Sequence, residues 1–136
     1  DRLHNIVDYP TREVVQRFIA QIGRPACDEV AAELKLKGID ATVTSTDADH
    51  VVLSVAHGEE IDFLYQVRAR AHIKPAFLSP DVAENEVSEE QKYYRAEIHL
   101  REGGQDYDIM GWSKEGVISD IIDQYHKHMH FLHLVR

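Results

Sequence analysis

The segment from Ile61 to Ile73 alternates apolar and polar residues over most of its length. Ile61, Phe63, Tyr65, Val67, Ala69, Ala71 and Ile73 take every second position, and Gln66, Arg68, Arg70, His72 and then Lys74 fall on the other side. Side chains of an extended strand point to opposite faces in turn. This spacing therefore predicts one row against a core and one basic row toward water. A strand with one wet face belongs in an antiparallel sheet. One this long is expected to bend or break before its end.

Two shorter runs precede it. Ile39, Ala41 and Val43 alternate with polar residues, as do Val51, Leu53 and Val55, and Asp47-Ala48-Asp49 and His57-Gly58-Glu59 read as turns. After it, Tyr94, Ala96, Ile98 and Leu100 mark a fourth strand. Glu102-Gly103-Gly104-Gln105 reads as a hairpin turn, and Tyr107 and Ile109 begin a fifth strand. Helical spacing brackets this region. Thr11 is a fitting N-cap for a helix carrying Val14, Val15, Phe18, Ile19 and Ile22. The pattern is interrupted at Gly23-Arg24-Pro25 and resumes through Ala26, Val30, Ala31 and Leu34 to a stop at Gly38. This reads as one helix kinked at Pro25, or two short helices in series. Ser113 caps a last helix whose apolar face is Val117, Ile118, Ile121, Ile122, Tyr125, Met129 and Leu132.

The order helix, five strands, helix with short turns predicts an α+β fold. Its sheet is five-stranded and mostly antiparallel, with the N- and C-terminal helices packed on one face. A chain of 136 residues is enough for one domain spanning 1–136. Within it, residues 1–9 are a lead-in and residues 75–92 an acidic surface loop holding Asp81, Glu84, Glu86, Glu89 and Glu90. The chain begins at Asp1 rather than at a methionine, and the expectation is a segment of a longer protein.

Charge narrows the function classes. Fifteen Lys and Arg stand against 24 Asp and Glu, a net charge of −9. Phosphate contacts need a basic surface, so nucleic acid is not an expected partner, and contact with anionic lipid is expected to be weak or indirect. Cys27, the one cysteine, can form no internal disulfide; it sits in an apolar helical pattern, where a buried inert thiol is the default. No run approaches the roughly 20 apolar residues needed to span a bilayer.

Four candidate sites each meet a plainer alternative. His126, His130 and His133 share a helix face at i, i+4, i+7, with His128 beside them. Two such imidazoles can hold a transition metal, but no carboxylate completes the set, and the reading is partly exposed or helix-packing histidines. Arg68, Arg70, His72 and Lys74 offer an anion grip; the reading is pairing with Glu97 or with the acidic loop. Trp112 with Tyr93, Tyr94 and Tyr107 forms a cage for a quaternary ammonium only if packing brings the rings together. No serine has a nucleophile-elbow context, and Gly103-Gly104 lies in no phosphate-loop motif. The sequence thus assigns no catalytic residue, no cofactor-binding residue, no metal ligand and no cofactor, and the chain does not read as an enzyme.

Several long strings resemble the cytoplasmic C-terminal extension of BetT-type choline transporters, in the betaine/choline/carnitine transporter family. They are Tyr9-Pro10-Thr11-Arg12-Glu13-Val14, His57 through Arg68, Tyr94 through Gly104, and Asp123-Gln124-Tyr125 with His128 through Arg136. The resemblance implies a regulatory domain of an osmoregulated choline/betaine secondary transporter, at the cytoplasmic face of the bacterial inner membrane. Residues 1–9 would lead in from a membrane segment. The implied partners are the transmembrane part of the same transporter and neighbouring subunits. The transport site lies in membrane helices, so the resemblance carries no substrate-binding residue to this chain. The alternatives from other classes are a free-standing small-molecule-sensing domain, a protein-interaction domain, and a small enzyme built on His99, His126 or His130 with carboxylates.

Overall fold

A computed structural model describes residues 9–79, 87–101 and 104–135. The lead-in before Tyr9, the loop carboxylates Asp81, Glu84 and Glu86, and Glu102-Gly103 of the expected hairpin turn lie outside the described residues. Helix α1 (Arg12–Phe18) starts as expected, with the Val14 amide donating to Thr11 Oγ1 at 3.3 Å. It does not end at Gly23-Arg24-Pro25. It passes into one π-helical turn, Ile19–Gly23, and on into α2 (Arg24–Leu36), which has Pro25 in its first turn. Proline has no amide hydrogen, and its ring crowds the carbonyl four residues back. The wider turn, in which the Arg24 amide reaches the Ile19 carbonyl, takes up one extra residue just before the proline, and helical structure continues to Leu36. At the other end Gly38 has φ +79°, which an L side chain would strain. The Gly38 amide donates to the Lys35 carbonyl and the Ile39 amide to the Leu34 carbonyl, the paired bonds of a Schellman stop.

Five strands follow in a simple meander: β1 (Asp40–Asp47), β2 (His50–His57), β3 (Glu60–Ile73), β4 (Lys92–Leu100) and β5 (Tyr107–Asp108). Every neighbouring pair is antiparallel and the order is β1-β2-β3-β4-β5. The first hairpin closes through Ala48-Asp49. The second closes through Gly58-Glu59, with Gly58 at φ +64° in the first turn position, where II′-type turns take glycine. β3 does not break: it runs 14 residues. Its irregularity is at the start, where Val55 pairs with Phe63 but Ala56 pairs with Ile61. The bulge inserts Asp62 and reverses the expected side of Ile61. Ile61 is 42% exposed on the open face, while Asp62 is 8% exposed.

One face of the sheet is covered. Val51, Leu53 and Val55, Phe63, Tyr65 and Val67, and Ala96 and Ile98 all point into it. They meet Val15, Ile19, Ala26, Cys27 and Val30 from the first helical arm, and Val117 and Ile121 from α3 (Lys114–Val135). Ser113 Oγ accepts from the Gly116 amide at 3.0 Å and starts α3 where expected. Ile122, assigned to its apolar face, is 39% exposed, whereas Ile118 and Tyr125 pack against the core.

Two polar ties fix the helices to the sheet. Arg12 grips the Asp49 carboxylate with Nε and Nη2, and Gln16 Nε2 adds a bond of 2.7 Å. The Arg12 bond holds the Asp49 carboxyl below its usual range. At the far side the Asp120 carboxylate of α3 accepts the Tyr65 hydroxyl at 2.7 Å and the Tyr107 hydroxyl at 2.5 Å. Burial, and then the facing carboxylate, push both phenols well above their ordinary pKa. Asp120→Ala strands both hydroxyls, one fully buried, and is expected to cost about 2–3 kcal/mol, against about 1 kcal/mol for Tyr107→Phe. Urea unfolding of the two variants measures this, and equal losses would contradict the tie.

Candidate functional site

The uncovered face of the sheet holds most of the candidate chemistry. Antiparallel register places Arg68 opposite Glu97, Arg70 opposite Arg95, and His72 opposite Tyr93. Two arginines directly across from one another repel, so this face needs counter-ions. Asp106, just before β5, supplies the main one. Its carboxylate meets Arg68 Nη2 at 3.0 Å, His99 Nδ1 at 2.8 Å and Arg70 Nη1 at 3.7 Å. Bonding from His99, with Arg68 assisting against partial burial, holds the Asp106 carboxyl below its usual range. Arg95 turns to Asp108, with Nε at 2.8 Å. His72 Nε2 reaches Glu97 at 2.7 Å while its ring stacks on Tyr93, whose edge meets Tyr9. Lys74 Nζ donates to the Glu90 carbonyl at 3.0 Å.

The basic row is therefore paired, as its plainer reading expected. Glu97 and the acidic loop each take one member, but Asp106 takes two and was not foreseen. The sequence signal for it was thin: a short acid after a glycine turn, within reach of β4 only once the hairpin closes.

The other candidates do not assemble. His128 packs over the Phe63 ring at 6.0 Å, and His126 and His130 are exposed on α3. The side chain of His133 lies outside the described part. No group of three His, Cys, Asp or Glu among the described residues is arranged to hold a metal ion. Trp112 is 40% exposed, Tyr93 stacks on His72, and Tyr94 is bonded to Glu89 and Tyr107 to Asp120. Cys27 is fully buried, and loss of solvent pushes its thiol up to about 12, leaving no thiolate for chemistry.

The geometry thus gives a sheet face of paired charges, and comparison with known proteins adds what the chain is similar to. No family model matches the chain. It is 38% identical over 136 residues to the glycine betaine transporter of Acinetobacter baylyi. Over 141 residues it is 36% identical to the high-affinity choline transport protein of Escherichia coli K12 and 34% identical to the osmo-dependent choline transporter BetT2 of A. baylyi. Its homologues are BetT-type glycine betaine and choline transporters. Each match covers 99% of this chain, and the chain spans 20% of the length of each transporter. It thus corresponds to one segment of such a transporter, folded around its own core. No helix among the described residues is long and apolar enough to cross a membrane.

Asp106 makes the open face sensitive to acid in a defined direction. Its carboxyl titrates lower when folded than when unfolded. Its stabilisation is therefore complete above the ordinary carboxylate value of 3.8 and is lost as pH falls through the lowered value. Asp106→Asn is expected to cost about 1 kcal/mol near neutral pH, the scale of partly exposed ion pairs. The gap between parent and variant narrows as pH drops below 3.8. Unfolding curves over a pH series check this, and a gap independent of pH would contradict the assignment.

Proposed function

We propose that the chain is a C-terminal regulatory domain of an osmoregulated choline or glycine betaine secondary transporter, held at the cytoplasmic face of the inner membrane. Its partners are then the transmembrane part of the same transporter and neighbouring subunits. The observation that carries this reading is the full-length similarity to transporters of which the chain spans only 20%. One of those relatives is named as osmo-dependent.

The proposed mechanism is electrostatic. The chain carries a net charge of −9, and its open face holds alternating cations and carboxylates. Screening shortens the Debye length from about 10 Å at 0.1 M salt to about 3 Å at 1 M. Contacts between the surface of this domain and the rest of the transporter weaken as internal ionic strength rises, and the balance between docked and free positions shifts.

Removal of the domain from the intact transporter tests the reading. Choline uptake measured against external osmolality is expected to lose its osmotic activation while basal transport remains. Osmotic activation that survives the deletion unchanged would overturn it.

A further inference from the structure

The two edges of the sheet differ. Beyond β4, the Tyr94 amide donates to the Pro10 carbonyl at 2.8 Å and the Ile109 amide to the Ala96 carbonyl at 2.8 Å, so that edge is closed. β1, at the other edge, has no neighbour on its outer side among the described residues. It is eight residues long, Asp-Ala-Thr-Val-Thr-Ser-Thr-Asp, with no proline, lysine or glycine, and it pairs regularly with β2 from Asp40 to Thr44 before an irregularity between Thr44 and Asp47. The regular stretch of a free edge templates the addition of another strand. Beside it, α2 presents Asp28, Ala31, Ala32, Lys35 and Leu36 at i, i+3, i+4, i+7 and i+8. With Thr42 and Val43 they line an open groove of about 450 Å³. Leu36, at its rim, is 82% exposed.

We propose that this edge is a dimerisation surface, and that its occupant is the same β1 and α2 of a second copy, antiparallel about a two-fold axis at Val43. The argument for a second copy is charge order. A foreign segment would favour a groove of one sign, and this groove carries both: Asp28 at one end and Lys35 at the other. A reversed copy presents them in the opposite order. With Ala32 near the axis, Lys35 of each copy stands across from Asp28 of the other, and the small Ala31 and Ala32 allow the helices to approach. Asp28 is available, since its intrachain contact to Arg24 is an exposed 3.8 Å. The strand register agrees over the regular stretch. Val43 meets Val43 and Thr42 meets Thr44, so no like charges are opposed.

Sedimentation velocity of the 136-residue chain over a concentration series tests this. The parent is expected to show a monomer–dimer equilibrium that weakens with salt. Lys35→Glu alone and Asp28→Lys alone each place like charges across the axis twice, and each is expected to raise the dissociation constant at least about tenfold. An equimolar mixture of the two variants restores complementarity and is expected to regain parent-like association. Asp28, Lys35 and Leu36 are all exposed, so circular dichroism of each variant should match the parent; Leu36→Glu is expected to abolish association with the fold intact. A parent that stays monomeric, or a mixture no tighter than the separate variants, overturns the proposal. Capture of a segment from the transmembrane part by a chain that does not self-associate overturns it as well.

Discussion

β3 is the element on which the rest of the structure depends. It lies at the centre of the sheet, pairs along its length with β2 on one side and β4 on the other, and separates two environments. Phe63, Tyr65 and Val67 form the floor of the core, and both helical arms reach it. Arg68, Arg70 and His72 lie on its other face and need counter-ions from β4 and the approach to β5. Tyr65 adds a polar demand inside: its buried hydroxyl must find a partner, and Asp120 of α3 meets it. The position of the last helix therefore follows from a side chain in the middle strand as well as from Val117 and Ile121.

Much of this was legible because period two and period 3.6 are strong signals in long runs. The five strands, the caps at Thr11 and Ser113 and the stop at Gly38 all follow from local chemistry. The exceptions have physical causes that act across space. Ile61 continues the alternation on paper, but a bulge opposite Val55 and Ala56 turns it outward and seats Asp62 instead. Pairing register, set between two strands, decides that, and one strand read alone cannot show it. Pro25 was a good signal for an interruption, but the chain absorbs it with a π turn because both halves of the arm bury one continuous apolar stripe.

The candidate site was legible in type more than in detail. Alternating basic residues on the wet face of a strand call for acids, and Glu97 stands in register with Arg68. Asp106 escapes because its role depends on a turn that returns the chain beside β4, bringing Arg68 and Arg70 of β3 and His99 of β4 within reach of one carboxylate. The Arg12–Asp49 tie escapes for the same reason: helix start and hairpin turn are far apart in sequence, and only the folded sheet brings them together.

These ion pairs also bear on how such a domain can respond to salt. Pairs at 2.8–3.0 Å within the sheet, such as Arg95 with Asp108 and Arg68 with Asp106, leave no room for counter-ions between the partners. Salt weakens them less than it weakens charges held further apart. Charges that must act across a gap, between this surface and another body, are screened once that gap exceeds the Debye length. Internal neutralisation and an external charge excess thus respond differently to the same change. Under the proposed regulatory role, the domain would keep its fold while its docking to the rest of the transporter weakens, because short pairs inside the sheet and the net charge of −9 on the chain respond to salt to different degrees.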